Sequence, residues 1–252
     1  MKKASFFDKY AQEYDWLTDA TRREESHRRE VTAIIEKCHP LSVLDAGCAT
    51  GLTTRLFAAA GINTVGIYRS RRMIKLAREN TLNSHHPLSF RYGEFEYLPR
   101  ILYNKFDLVV CLANAITGVN SLSGLRKSLK NFKAVLKPGG TLLIQMLNYL
   151  AVREGVLMPV RTTVHEGLIY IRFTERKGRR HSLYIIRLDL DRKPVQMEPF
   201  RSDFDNFTVD EMETTLKTTG FSKIKKYADL FLERRFTPSS RDLVITAWKA
   251  PH

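Results

Sequence analysis

From residue 42 to residue 147, short apolar runs alternate with amphipathic stretches, and that alternation limits the fold more than any other feature of the chain. SVLDAG, NTVGIY, LSFRYGE, FDLVVCL and TLLIQML read as strands. Between them the sequence predicts one helix over Thr53–Ala60, closed by Gly61, and a second that Ser70 caps and that carries Met73, Ile74 and Ala77 on one face. A third spans Leu122–Leu136, and Lys137-Pro138-Gly139-Gly140 predicts a turn into the next strand. Strands and helices in this rhythm imply an α/β fold, a parallel sheet with helices on both faces. Upstream, Val31, Ile34, Ile35 and Cys38 recur at helical spacing, which predicts a helix from Ser26 to Cys38 that Pro40 stops. After Tyr149 the rhythm changes: Gly167–Phe173 and Ser182–Leu190 read as two strands joined by the charged turn TERKGRR. It returns with a helix over Asp210–Thr219, a strand near Ser222–Asp229 and a last strand, Asp242–Trp248. The expected organisation is a cap segment plus core over residues 1–149, a β-rich insertion over 150–206, and the rest of the core sheet over 207–252.

Charge narrows the partners less than it first suggests. Lys and Arg number 41 against 27 Asp and Glu, a formal net charge of +14, which favours a polyanion partner. The basic residues are spread along the chain, however. The short clusters Arg69-Arg71-Arg72, Arg176-Lys177-Arg179-Arg180 and Lys223-Lys225-Lys226 lack the aromatic interleaving of an RNA-recognition sheet. They read as a solvated basic surface, with nucleic acid open but not favoured. No apolar run reaches the length of a membrane span, and MKKASFFDKYAQEYD lacks an apolar signal core. Cys38, Cys48 and Cys111 have no paired spacing, so a disulfide scaffold or a cysteine zinc site is not expected. The expectation is a cytoplasmic protein with no membrane partner and no metal; the oligomeric state is not readable.

The stretch from Val43 to Gly51, VLDAGCATG, carries the chemistry. A strand that runs into a glycine-rich turn before a helix lets backbone N–H groups approach a ligand at the helix N-terminus. No Gly-Lys-Ser/Thr follows, so it is not a phosphate loop, and the spacing of Gly47 and Gly51 with Ala49 between them departs from the dinucleotide fingerprint. A tight turn with no ligand also fits the residues.

The residues Asp45-Ala46-Gly47-Cys48-Ala49-Thr50-Gly51, the LKPGG turn, FDLVVCLANAITGV, QMLNY and FTPSSRDLVITAWK together resemble the class I S-adenosylmethionine-dependent methyltransferases, within them the small-molecule N-methyltransferases of glycine/sarcosine type. The resemblance implies a doubly wound Rossmann-like fold, with a mostly parallel seven-stranded sheet whose last strand is antiparallel. It also implies S-adenosylmethionine as cofactor and S-adenosylhomocysteine as product. Gly47 and Gly51 would lie against the methionine part of the cofactor, and Asp45 would orient the turn and help hold its ammonium group. Glu94 and Phe95 would meet the adenine, Leu112 and Asn114 would line the far side, and Cys48 and Cys111 would pack beside it. Tyr14, Arg69 and Met73 complete the implied cofactor set; Tyr14, Asn114 and Tyr149 are the candidate catalytic residues, with Tyr10 and Asn148 further candidates for lining the acceptor.

Two positions depart from the family's pattern. Tyr68 stands where the second strand's closing acid would take both ribose hydroxyls, and Ala49 adds a methyl group at the middle glycine. A phenol offers one neutral hydrogen bond where a carboxylate accepts two charge-assisted ones. Weaker ribose recognition, a modified nucleoside cofactor, or a non-catalytic scaffold all fit Tyr68. The expected activity is methyl transfer to a small-molecule acceptor, most simply an amine nitrogen, by in-line displacement. A neutral amine needs no strong base, in keeping with a sequence that shows no histidine pair of catalytic type.

Overall fold

The computed structural model describes residues 6–82 and 84–251; Met1–Ser5 of the expected cap segment, Asn83 and His252 lie outside the described residues. The chain runs through α1 (Phe6–Lys9), α2 (Tyr14–Thr18) and α3 (Ala20–Cys38) into β1 (Ser42–Ala46), α4 (Leu52–Ala59), β2 (Asn63–Tyr68), α5 (Arg71–Glu79), β3 (Leu88–Tyr92) and β4 (Phe106–Cys111). Then follow α6 (Leu122–Val135), β5 (Leu136–Leu147), the inserted strands β6 (Met158–His165), β7 (Leu168–Lys177), β8 (Arg180–Asp189) and β9 (Gln196–Asp205), and finally α7 (Val209–Thr218), β10 (Ser222–Tyr227) and β11 (Asp242–Trp248).

Seven strands form one sheet in the order β3-β2-β1-β4-β5-β11-β10, parallel except that β11 runs antiparallel to both its neighbours. Alternation along the strands divides the core between two faces. Val43, Leu108, Val110, Leu143 and Val244 pack against Val31 and Ile34 of α3 and Leu56 and Phe57 of α4. Leu44, Val109, Ile144 and Ile245 point the other way, onto Leu125, Leu129 and Phe132 of α6 and Met212 and Leu216 of α7. The order reverses between β1 and β4, and the crevice at the carboxyl ends of strands beside such a reversal is where ligands of open α/β sheets bind.

Three expectations need correction. The helix expected from Ser26 begins at Ala20, because the charged run TRREESHRRE keeps its charges in solvent and pairs Arg28 with Glu24 one turn away (2.9 Å). KPGG is not a separate turn but the bulged start of β5, where the pairing with β4 jumps from Phe106↔Leu136 to Leu108↔Thr141. The insertion has four strands rather than two, in the antiparallel order β6-β7-β8-β9. Its outer strands are largely exposed and each contains a proline, Pro159 and Pro199, which speaks against a strand in the sequence and is tolerated because both strands are edges.

One face of this small sheet does two jobs. Register places Tyr170 and Arg172 of β7 beside Arg187 and Ile185 of β8, and Glu198 and Phe200 of β9 beside those. At one end, Phe6, Leu17, Tyr170 and Ile185 form a buried apolar cluster with Phe200 packed on it, so the sheet clamps the N-terminal helices. At the other end Arg172, Thr174, His181, Leu183 and Phe204 stand over the crevice of the large sheet. Among the described residues no helix is long and apolar enough to cross a membrane.

Candidate active site

The turn after β1 is built from three residues in left-handed conformation, Gly47 (φ 106°), Ala49 (φ 49°) and Gly51 (φ 92°). A side chain at Gly47 would overlap Ala115, its Cβ lying 2.5 Å from the Ala115 Cβ, so glycine is required there on both counts. The backbone N–H groups of Gly47 and Cys48 both donate to the Ile67 carbonyl (3.0 and 3.1 Å), which ties the turn to the end of β2. Ala49 adopts the left-handed conformation without being glycine, at a cost of about 1 kcal/mol. Beyond β4, Ala113 and Asn114 are also left-handed and carry the chain across the crevice. The Gln145 side-chain carbonyl accepts from the Ala113 N–H (2.6 Å), and the Asn114 side-chain oxygen accepts from the Leu147 N–H (2.5 Å).

These segments enclose a cavity of about 560 Å³. Ten of the sequence candidates line it: Tyr14, Gly47, Ala49, Tyr68, Arg69, Glu94, Phe95, Leu112, Asn114 and Tyr149. Its wall thus draws on the ends of β1 to β5, on the cap, and on the roof from the inserted sheet. Tyr68 contributes a phenol that makes no hydrogen bond among the described residues; burial pushes its pKa up, so it stays neutral. Arg69 donates to the Gly118 carbonyl (3.0 Å). Tyr149 lies against the His181 ring, with centroids 4.2 Å apart. It also borders a smaller cavity of about 130 Å³ lined in part by Asn148 and Asn206.

Other candidates lie outside the large cavity, each for a local reason. Asp45 is 2% exposed and faces α4, where its carboxylate accepts from the Thr54 hydroxyl (2.7 Å), because strand alternation puts it on the helix side. Met73 is buried on the apolar side of α5, and Cys48, Gly51 and Cys111 sit behind the wall, with Phe90 filling the space a side chain at Gly51 would need. Tyr10 donates to Glu198 (2.6 Å) in the clamp. Asn148 donates to the carbonyls of Pro238 and Ser240 (2.8 Å each) and faces only the smaller cavity.

Sequence reasoning passed over Arg23, Arg172, Thr174 and His181, all in the cavity wall. Arg23 reads locally as one charge in a solvated run. The others come from strands whose position over the crevice no short-range pattern reveals. His181 is buried with its pKa lowered to about 4, so its imidazole is neutral near pH 7.

Burial raises the pKa of Asp45 to about 6 against the opposing pull of the Thr54 hydroxyl. An unfolded aspartate titrates near ~3.9, so the folded chain keeps a proton that the unfolded chain releases. Stability from this group is therefore highest below about pH 4, falls as pH rises towards 6, and is constant above. The penalty at pH 7 is roughly 2–3 kcal/mol. Asp45→Asn, which still accepts from Thr54, is expected to stabilise the fold by about 1–3 kcal/mol at pH 7.5 and to be neutral at pH 4. Urea titrations at the two pH values check this; an equal effect at both would mean that Asp45 titrates normally.

Comparison with known proteins adds to this geometry. Residues 43–140 match a family described as a methyltransferase domain. A glycine/sarcosine N-methyltransferase of Parasynechococcus marenigrum is 30% identical over 156 residues, which cover 59% of this chain and 55% of that protein. One of Halorhodospira halochloris is 25% identical over 238 residues, covering 89% of this chain and 81% of the relative. The chain thus spans just over half the length of the first and most of the second. Among solved structures, the CcbJ methyltransferase of Streptomyces caelestis superposes with a TM-score of 0.77 at 19% identity, covering 90% of each chain, a likeness of fold.

Proposed function

This chain belongs to the class I S-adenosylmethionine-dependent methyltransferases, and from that premise we propose that it moves a methyl group from S-adenosylmethionine to the nitrogen of a small-molecule amine. The observation that carries the proposal is the cavity of about 560 Å³. It joins the glycine turn, the ends of β2 and β3, and the polar residues Asn114 and Tyr149 under one roof. Its volume suits a nucleotide-sized cofactor with a small acceptor beside it.

The residues present fit the cofactor. Gly47 and Ala49 leave backbone open to its methionine end, and Arg23, which lines the same cavity, supplies a positive charge for the methionine carboxylate. Tyr68 offers one hydrogen bond at the ribose, and the exposed Glu94 carboxylate can accept from an exocyclic amine. Phe95 and Leu112 provide apolar wall. When bound, S-adenosylmethionine supplies a methyl group already activated on sulfur.

The chain's remaining task is to orient a neutral nitrogen and strip it of water. The Leu147 N–H holds the Asn114 side-chain oxygen, which fixes the amide, and its nitrogen has no hydrogen-bond partner among the described residues. Tyr14 and Tyr149 close the acceptor end, and the inserted sheet shields it from solvent. The named relatives, both glycine/sarcosine N-methyltransferases, support an amine acceptor.

The test is transfer of labelled methyl from S-adenosylmethionine to a panel of glycine, sarcosine and larger primary and secondary amines, with S-adenosylhomocysteine binding measured in parallel. Label in at least one methylated amine is expected. Firm S-adenosylhomocysteine binding with no amine labelled would sink the amine reading and leave oxygen acceptors. Absence of any cofactor binding would return the scaffold.

A further inference from the structure

The inserted sheet is apolar on both faces, and the fold covers one of them. A sheet with one face in water alternates apolar and polar residues along each strand. In β7 and β8, LIYIRF and LYIIRL instead put large apolar side chains at consecutive positions. Leu168, Tyr170, Leu183 and Ile185 face the N-terminal helices and join the apolar cluster there. The residues between them point the opposite way. Register lines these up across all four strands: Val164, Ile169, Leu188 and Met197 in one row, Thr162, Ile171, Ile186 and Pro199 in the next. Pro159, Phe173, Tyr184 and Arg201 make a third row, beyond which the face turns polar. The apolar side chains of the first two rows belong to no buried cluster among the described residues, and Val164 and Met197 are 67% and 63% exposed.

Strands lie about 4.8 Å apart and same-face residues about 7 Å apart, so three rows over four strands project on the order of 400 Å². Two such faces bury about 1,000 Å² of accessible surface, the lower bound for a specific protein interface. The charges at the polar end are satisfied within the sheet. Glu175 pairs with Lys177 (2.8 Å) and accepts from Tyr184 (2.9 Å); Asp203 pairs with Arg201 (2.8 Å) and accepts from Ser182 (2.7 Å). Arg201 is the one cation in the three rows, so the face carries no free charge to select a partner of different chemistry. Flat apolar rows suit an identical sheet stacked about 10 Å away. We propose that the outer face of the inserted sheet is the contact between two copies of this chain, packed sheet on sheet about a twofold axis. Arg172, Thr174, His181 and Leu183 roof the large cavity from the inner face of the same strands, so the contact would brace each roof from behind.

Sedimentation velocity of the full chain from about 1 to 200 µM tests this without any ligand, so its outcome is independent of the methyl-transfer reading. A reversible monomer–dimer equilibrium is expected, with a Kd of about 1–100 µM for an interface of this size. Ile186→Lys, at the centre of the face, is expected to weaken it at least about a hundredfold, since the contact would bury an unpaired charge. Met197→Lys is expected to weaken it at least about tenfold, and Met197 is exposed in the single chain, so this variant keeps its fold and carries the test if Ile186→Lys does not. Leu82→Lys adds the same charge at an exposed residue outside the inserted sheet and should leave the Kd within about twofold.

A native chain that stays monomeric throughout overturns the proposal. A dimer that Met197→Lys leaves at native strength also overturns it, by placing the contact elsewhere. The link from β8 to β9 carries the exposed Leu190 and Val195 beside Arg192 and Lys193, so a lipid surface is the rival to separate. Flotation with vesicles of phosphatidylcholine and phosphatidylserine does so. A monomeric chain that floats with the vesicles, and no longer floats as Met197→Glu, would assign the face to lipid and overturn the dimer.

Discussion

Exchanging Tyr68 for aspartate is expected to tighten S-adenosylhomocysteine binding roughly ten- to a hundredfold. Tyr68 ends β2 and lines the cavity, where its hydroxyl has no hydrogen-bond partner among the described residues. Burial raises its pKa, so at neutral pH it offers a ribose one neutral hydrogen bond. A carboxylate at the same strand end accepts from both hydroxyls with charge assistance, at about 1.5–3 kcal/mol for a bond to a charged group. Desolvating the new carboxylate offsets part of this, and the adjacent Arg69 limits that cost. Calorimetric titration of the two proteins side by side decides the matter, with Tyr68→Phe as control and an expected loss of less than about tenfold. Equal binding by native protein and Tyr68→Asp would mean that the ribose is held elsewhere. Weaker binding by Tyr68→Asp would mean that this strand end accommodates a ligand other than a ribose diol.

What the sequence made legible was local, and what it hid was brought together over long separations. The turn from Gly47 to Gly51 and the strands around it follow from periodicity and glycine positions within a few residues, whereas the family resemblance implied the places of Tyr68, Glu94 and Asn114, all three of which line the cavity. Asp45 shows the limit of that approach. An acid at a strand end has the composition of a ligand contact, yet the twofold alternation of β1 turns it towards Thr54. The roof was hidden for a different reason. Arg172 and His181 stand far along the chain from the turn they cover, and β6 and β9, which complete their sheet, are exposed edges that each contain a proline. Arg23 was hidden among charges; it is exposed like the arginines around it and differs from them only in reaching the rim of the cavity.

Removing the Glu13 carboxylate is expected to cost the fold roughly 3–5 kcal/mol, because it strands a buried cation. Arg187 is 8% exposed and grips Glu13, itself 16% exposed, through Nε and Nη2 at 2.9 and 3.0 Å, while the Tyr170 hydroxyl donates to the same carboxylate. Asp189 and Glu198 stand farther from the guanidinium, at 3.5 and 3.9 Å, and Glu198 is shared with Lys9 and Tyr10. They soften the loss without replacing a bidentate pair, which points to the lower end of the range for Glu13→Ala. The double change Glu13→Leu with Arg187→Met should recover part of it, since well-packed apolar side chains can replace a buried ion pair with little penalty beside Phe6, Leu17 and Ile185, while the buried Tyr170 hydroxyl, left without its acceptor, keeps a cost of about 1–3 kcal/mol. Urea denaturation of the three variants tests this, and a cost below about 1 kcal/mol for Glu13→Ala would show that the apolar cluster alone holds the clamp. The site should register the same event. Glu13 immediately precedes Tyr14 of the cavity wall, so Glu13→Ala should weaken S-adenosylhomocysteine binding while the double variant restores it. Loss of binding in the double variant as well would mean that the charge pair, and not the docking of the cap, shapes the cavity.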